Sequence, residues 1–286
     1  MFREKSIKPM LVAEVNFAFS DKYIYEVKFD GIRAIIYANS KEVVIRSRNN
    51  IDMTALFPEL QSIKDIVLND TCIFDGEIVL FFKDKPSFSH LQQRIRVKNK
   101  DKIRSFASDM PVVFVVFDII YQNKSLLNFK LLARKKALLK YKDTNYFWKS
   151  KVYDDGKKLF LAVKKMGLEG IVAKEKESYY YPGKRSNVWI KLKNYQTAEF
   201  YIGGYIKNRA SYSLLLGEKR NNKLYYVGKI KVSRRKEILA KIMKEKSSAR
   251  EFVNYEGDGV FIKPKYKITV NYLEKTKQNM LRHPFI

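Results

Sequence analysis

Lys28-Phe29-Asp30-Gly31-Ile32-Arg33 sets a lysine, an acid, a glycine and an arginine side by side. The preceding Tyr23-Ile24-Tyr25-Glu26-Val27 reads as a strand that presents Lys28 at its end. A free lysine amine is protonated at neutral pH and is a poor nucleophile. Nearby cations or loss of water depress its pKa and free the lone pair. Arg33, Lys191, Lys193 or a bound metal are suited to that task. Attack on an α-phosphate would form a phosphoramidate and expel pyrophosphate. The chemistry expected of Lys28 is therefore covalent attachment to a nucleotide.

The motif does not stand alone. Asp75-Gly76-Glu77, Phe117-Asp118, Glu169-Gly170-Ile171-Val172-Ala173-Lys174 and Trp189-Ile190-Lys191-Leu192-Lys193 follow it in order. Side chains alternate along a strand, so Trp189, Lys191 and Lys193 share one face while Val188, Ile190 and Leu192 share the other. Two lysines on one rigid face suit phosphates, although a solvated amphipathic strand reads the same way. Asp75 and Glu77 also share a face, and the glycine between them permits close approach. Glu77 can meet a ribose hydroxyl or a divalent metal. Glu169 is a second carboxylate for magnesium, which favours sparse carboxylate ligation completed by water and phosphates. Glu169 and Lys174 have opposite parity, so both reach one pocket only if Glu169 sits in the turn before the strand. Phe117 offers a ring for stacking on a base or for the core. Glu26 shares a strand face with Lys28 and so can approach the same base. Arg48 is a phosphate or ribose contact, or an exposed turn arginine.

The elements around these residues are mostly strands. A hairpin is expected from Ala34 to Arg46, a helix start at Thr54 to Pro58, a strand from Ile73 to Phe82 and a buried strand from Pro111 to Ile120. Leu131 to Tyr141 has helical spacing with basic residues on one face. Asp154 to Met166 reads as a helix capped by Asp154 or Asp155 and closed by Gly167. A boundary is expected at Asn194-Tyr195-Gln196-Thr197, giving domains 1–195 and 196–286. After it come short strands at 200–206, 214–217, 224–230, 260–262 and 268–272, with one helix from Ser233 to Lys244. That series suits a small barrel of oligonucleotide-binding type, with an SH3-like or sandwich fold as the alternative.

Composition narrows the classes. With 286 residues and 46% hydrophobic content the chain can bury a sizeable core. Lys and Arg number 57 against 30 Asp and Glu, a net charge of +27. Such an excess favours a polyanionic partner, since neutralised phosphates release counterions; a generally lysine-rich proteome would also produce it. Cys72 is the one cysteine, which excludes an internal disulfide and a multi-cysteine zinc site. His90 and His283 are too sparse for a metal cluster. No phosphate loop of G-x-x-x-x-G-K-[ST] type and no G-x-S-x-G elbow occurs. No apolar run is long enough for a bilayer, and Met1-Phe2-Arg3-Glu4-Lys5 carries no secretory signature. A cytoplasmic location is expected, nucleoid-associated if the source is bacterial, with no membrane partner.

The ordered motifs resemble those of the covalent nucleotidyltransferases: ATP-dependent DNA ligases, RNA ligases and mRNA capping enzymes. Lys8-Pro9-Met10-Leu11, Phe88-Ser89-His90-Leu91-Gln92-Gln93-Arg94, Phe200 to Tyr205 and Leu281-Arg282-His283-Pro284 resemble the ligase component of bacterial non-homologous end joining. Glu-Gly at 169–170, where capping enzymes usually carry Asp-Gly, points the same way. The resemblance implies an α+β chain: a nucleotidyltransferase (adenylation) domain of antiparallel sheets with flanking helices, then an OB-fold barrel. It implies Lys28 as the adenylated nucleophile, Glu26 near adenine, and Arg33 and Arg48 on the nucleotide or 5′-phosphate. Glu77 would contact ribose and metal, Phe117 would stack on adenine, and Glu169 would help place metal. Lys174, Lys191 and Lys193 would hold phosphates, and Arg185 would approach DNA phosphate. The implied cofactors are ATP and Mg2+ (or Mn2+). The implied partners are nicked or broken double-stranded DNA and a Ku-like end-binding protein, with the ligase itself a monomer. The last family motif normally carries more basic residues, which leaves the role of Arg282 open. The length leaves no room for a further N-terminal DNA-binding domain, so the two domains and their partners must grip DNA. An RNA ligase, a GTP-dependent capping guanylyltransferase and a basic binding module with a vestigial nucleotide pocket are the alternatives.

Overall fold

Long runs of β-branched and aromatic residues pair into two sheets before Asn194. The computed structural model describes residues 1–232, 236–245 and 251–286. The chain divides into two units, Met1–Asn194 and Tyr195–Ile286.

In the first unit, one sheet runs in the order Leu11–Ala13, Arg185–Lys193, Gly170–Glu175, Tyr23–Lys28. The other runs Val43–Ser47, Ile32–Ala38, Cys72–Phe82, Val112–Gln122, Lys124–Ser125. Lys85–Pro86 lies beside Cys72–Phe82, and Phe147–Lys149 lies beside Val112–Gln122. The sheets are not purely antiparallel as expected: Leu11–Ala13 runs parallel to Arg185–Lys193, and Phe147–Lys149 parallel to Val112–Gln122. The second parallel pair has the usual cause, a crossover containing a helix, here Leu131–Leu138.

The sheets meet through a core that joins Ile24 and Trp189 of the first to Ile35, Tyr37, Ile73 and Ile120 of the second. Helix Gly156–Met166 covers the outer face of the first sheet, laying Leu159 and Val163 on Tyr25, Ile171 and Ala173. Its start is capped by Asp155, whose side chain accepts from the Lys158 amide, and left-handed Gly167 ends it. The outer face of the second sheet is covered by Phe57, Leu60, Ile63, Leu91 and Leu138. The helix expected over Leu131 to Tyr141 is present as Leu131–Leu138, and two of its basic residues point inward. Arg134 is fully buried on Asp118 at 2.8 Å, and Lys135 turns inward with it. A buried carboxylate must be paired, and the inward turn of the helix supplies the cations.

The second unit pairs its strands in the order Lys223–Val232, Tyr212–Arg220, Gln196–Lys207, Val260–Phe261. Lys267–Tyr272 lies along the first half of Gln196–Lys207. The first three strands are longer than the sequence pattern implied, because Gln196, Tyr212 and Lys223 begin pairing before their apolar runs do. Among the described residues these pairings do not return to Lys223–Val232, so the sheet does not close. The expected helix is present as Lys236–Ile242, and its predicted start at Ser233 lies outside the described residues. Ile238, Leu239 and Ile242 pack onto the sheet core around Phe200, Leu214 and Val227. No helix among the described residues is long and apolar enough to cross a membrane.

Candidate active site around Lys28

Strand register builds the floor of the site. Gly170 is opposite Lys28 on one side and Lys193 on the other, and Val172 is opposite Glu26 and Lys191. Lys174 is opposite Trp189 in the same way. Alternation then turns Glu26, Lys28, Lys174, Trp189, Lys191 and Lys193 into a single cavity of roughly 280 Å³. Arg33, Glu77 and Phe117 of the second sheet form the facing wall, with Arg33 registered directly across from Glu77. Glu169, Arg48, Arg185 and Ser150 complete the lining.

Lys28 donates to Glu169, with Nζ 2.7 Å from Oε2. Glu169 stands just before the strand Gly170–Glu175, the position that its parity against Lys174 requires. Gly170 makes this turn possible. Its φ is +155°, and a Cβ there would lie 2.1 Å from the Leu192 carbonyl oxygen. Gly31 is bound by similar crowding, since a Cβ would stand 2.2 Å from the Ile78 carbonyl oxygen. The loop after Lys28 is thereby pressed against the strand that carries Glu77.

Arg33 is held by a rigid acid. Its Nε and one terminal nitrogen each donate to Asp75 at 2.6 Å, and Tyr180 donates to the same carboxylate at 2.6 Å. Asp75 has no solvent exposure, so this bidentate pair is a fixed part of the wall. The guanidinium carbon lies 4.4 Å from the centre of the Phe117 ring. Lys174 Nζ lies 4.3 Å from the same ring and 4.4 Å from that of Trp189. Phe117 is thus an aromatic platform already flanked by two cations.

A second ionic group lies deeper. Glu26 is 2% exposed and meets Lys174 at 3.1 Å and Lys135 at 2.5 Å. Burial would raise the Glu26 carboxyl, but Lys135 and Lys174 outweigh it and hold it below its ordinary value. Burial also lowers Lys174 to about 8, against the pull of Glu26. Lys193 is lowered by burial and by its neighbour Lys191. Lys191 itself pairs with Glu14 at 2.9 Å. Burial pushes Glu77 up to about 7, against Lys28 and Arg33, with Glu169 adding to the rise.

Two carboxylates that repel one another across a basic cavity are a suitable donor set for a magnesium ion shared with phosphates. No group of three or more metal-ligating side chains occurs among the described residues, so water and substrate oxygens would have to complete such a site.

Every predicted site residue but one therefore meets at this cavity. Arg185 lines it and donates to the Val12 carbonyl, which fixes an otherwise exposed side chain. Arg282 belongs to the second unit, where it pairs with Glu274 at 2.9 Å. Sequence reasoning missed Lys135, Ser150, Tyr180 and Glu14. The only signal for Lys135 was its place beside Arg134 on a helix that follows Asp118. Tyr180 and Glu14 lie in irregular segments with no periodic pattern.

Residues 8–193 match the family described as the ATP dependent DNA ligase domain. The multifunctional non-homologous end joining DNA repair protein LigD of Mycobacterium tuberculosis (strain ATCC 25618 / H37Rv) is 29% identical over 99% of this chain. This chain spans only 38% of that protein's length. The SPbeta prophage-derived DNA ligase-like protein LigB of Bacillus subtilis (strain 168) is 32% identical, covering 73% of this chain and 75% of that protein. Among solved structures, mycobacterial DNA ligase D complexed with ATP and MES superposes with a TM-score of 0.61 at 26% identity, covering 98% of this chain and 93% of that one. A lysine-lined cavity inside the matched segment, with relatives matching most of the chain, leads to one conclusion: this chain belongs to the ATP-dependent DNA ligase domain family.

Proposed function

We propose that this protein seals nicks or breaks in DNA between a 3′-hydroxyl and a 5′-phosphate, through a lysyl-AMP intermediate on Lys28, in end-joining repair. The observation that carries the reading is the Lys28–Glu169 pair, set among Lys174, Lys191, Lys193 and Arg33 in one cavity. Lys28 Nζ attacks the α-phosphorus of ATP. An N–P bond forms, the bond to the bridging oxygen breaks, and pyrophosphate leaves. Glu169, at hydrogen-bond distance, is in reach of the proton that the amine must lose. The AMP then passes to the 5′-phosphate of the break, and the 3′-hydroxyl displaces it to close the strand.

In this reading Glu26 faces adenine, Phe117 stacks on it and Glu77 holds ribose. Lys174, Lys191 and Lys193 grip phosphates, Arg33 and Arg48 meet the nucleotide or 5′-phosphate, and Arg185 meets DNA phosphate. Glu77 and Glu169 would hold Mg2+ (or Mn2+), which supplies neutralisation of charge on the transferred phosphoryl group. Residues 1–195 form the adenylation domain and 196–286 an OB-fold, read as partly open because the strands do not close. A Ku-like end-binding partner extends the reading to end joining; its support is the likeness to LigD proteins named for non-homologous end joining.

The test uses protein shown to be free of bound AMP, incubated with Mg2+ and α-labelled ATP and then denatured. Label must stay on the protein, must be lost in Lys28→Ala, and must move to nicked duplex on chase. Absence of label would refute the covalent step. A preference for GTP would instead indicate a guanylyltransferase, and label that moves only to RNA an RNA ligase.

A further inference from the structure

Lys135 is outside the motif series and does not line the cavity, yet it reaches Glu26, which does. Its side chain is 11% exposed and its Nζ stands 2.5 Å from Glu26 Oε1. The approach is poorly aligned, and neither Glu26 oxygen makes a well-aligned hydrogen bond to protein. Glu26 nevertheless lines the cavity. The carboxylate is ion-paired with Lys135 and Lys174 but lacks an aligned hydrogen bond, which leaves acceptor capacity for a donor on a molecule bound in the cavity.

The charge state of Glu26 decides which donor or acceptor it meets. An ionised carboxylate only accepts, so it suits a 6-amino purine and opposes a 6-oxo oxygen. A protonated one can donate and would tolerate the 6-oxo base. The groups that face Glu26 come from three elements: Lys135 from the helix Leu131–Leu138, Lys174 from Gly170–Glu175, and Ser150 after Phe147–Lys149. Behind them, Asp118 is committed to Arg134 at 2.8 Å. Lys174 divides its charge between Glu26 and the Phe117 and Trp189 rings, whereas Lys135 makes the shorter approach to Glu26, 2.5 Å against 3.1 Å.

We infer that Lys135 is a positioning residue that keeps Glu26 an acceptor and so makes the cavity select 6-amino over 6-oxo purine nucleotides. The inference rests on the nucleotidyl-transfer reading and extends it to choice of base. Lys135 touches no substrate; it acts through Glu26.

Binding of AMP and IMP to AMP-free protein, measured by calorimetry at pH 6 and pH 8, tests it. Wild type is expected to prefer AMP by about tenfold or more at both values. Lys135→Met should lose most of that preference, with the larger loss at the lower pH, because removing a cation from Glu26 favours its protonated form. Lys135→Arg should restore it. A purely structural role would weaken both nucleotides equally and leave the ratio flat with pH. Equal affinity in wild type, or an unchanged ratio in folded Lys135→Met, would overturn the assignment. Should Lys135→Met not fold, Glu26→Gln decides: its amide both donates and accepts, so retention of the wild-type ratio would be equally fatal. Labelling by ATP is a separate readout. Label without base discrimination removes the Lys135 assignment alone, whereas discrimination without label removes only the covalent reading.

Discussion

Lys28 and Glu169 meet at 2.7 Å although 141 residues separate them, because Gly170 is paired directly opposite Lys28. The carboxylate is 10% exposed and the amine 24%, so water competes weakly for the pair. Removing the acid should leave the fold intact, since Glu169 is outside the hydrophobic cores. Glu169→Ala is expected to keep its melting temperature within a few degrees and to lose sealing of nicked duplex by about 100-fold or more, the scale of removing a charge-stabilising group at a reacting centre. Sealing at the wild-type rate would take Glu169 out of the site.

Asp75 is a fully buried acid that fixes Arg33. It accepts two bonds from Arg33, whose side chain is 18% exposed, and a buried one from Tyr180. Breaking one partner of a buried pair costs about 3–5 kcal/mol. Asp75→Asn should therefore shift the urea midpoint down strongly and weaken ATP binding together. Tyr180→Phe should cost less, about 1–3 kcal/mol, because Arg33 still satisfies the carboxylate. Matching losses in the two variants would mean that the bidentate geometry is not what holds Arg33.

The cavity floor was readable in the sequence because strand parity is strict. Trp189, Lys191 and Lys193 had to share a face, and Glu169 had to stand in a turn if Lys174 was to reach the pocket. What hid was everything that depends on tertiary pairing. Lys135 has the look of a solvated helix lysine until Glu26 is placed beside it. Asp118 and Arg134 form a fully buried pair that no local pattern marks. Helix Lys100–Asp109 was missed too, although Asn99 caps it by accepting from the Asp101 and Lys102 amides. Its charged sequence has too few apolar residues to show a period. The two parallel strand pairs escaped for the same reason: Leu11–Ala13 and Phe147–Lys149 are three residues each, too short to carry alternation.

Glu77 links the site to pH. Its carboxyl is raised from 4.5 to about 7, chiefly by burial. Between those values the native state holds a proton that the unfolded chain has released, so stability falls as pH rises through the window. Glu77→Gln removes the titration. The variant should match wild type near pH 4 and become more stable by about 1–3 kcal/mol at pH 8, as read from urea unfolding. A gain that is constant with pH would show that Glu77 does not titrate in this range. The same variant should lose adenylylation if Glu77 holds metal and ribose as proposed, since the neutral amide would serve neither as a carboxylate would.

The net charge of +27 is the broadest of the sequence clues and the easiest to test. Arg48 and Arg185 are on the lining of the cavity, where the proposed reaction would bring the 5′-phosphate strand. Each phosphate that the protein neutralises contributes about −0.9 to the slope of log K against log salt for duplex DNA. Binding of nicked duplex, measured by anisotropy from about 50 to 200 mM salt, should weaken by about 10³-fold or more if six or more phosphates are held. Arg185→Ala should lower the slope by about one unit and weaken DNA binding more than adenylylation by ATP, if the residue meets DNA phosphate as proposed. A slope near zero would mean that the charge belongs to the proteome and not to DNA binding.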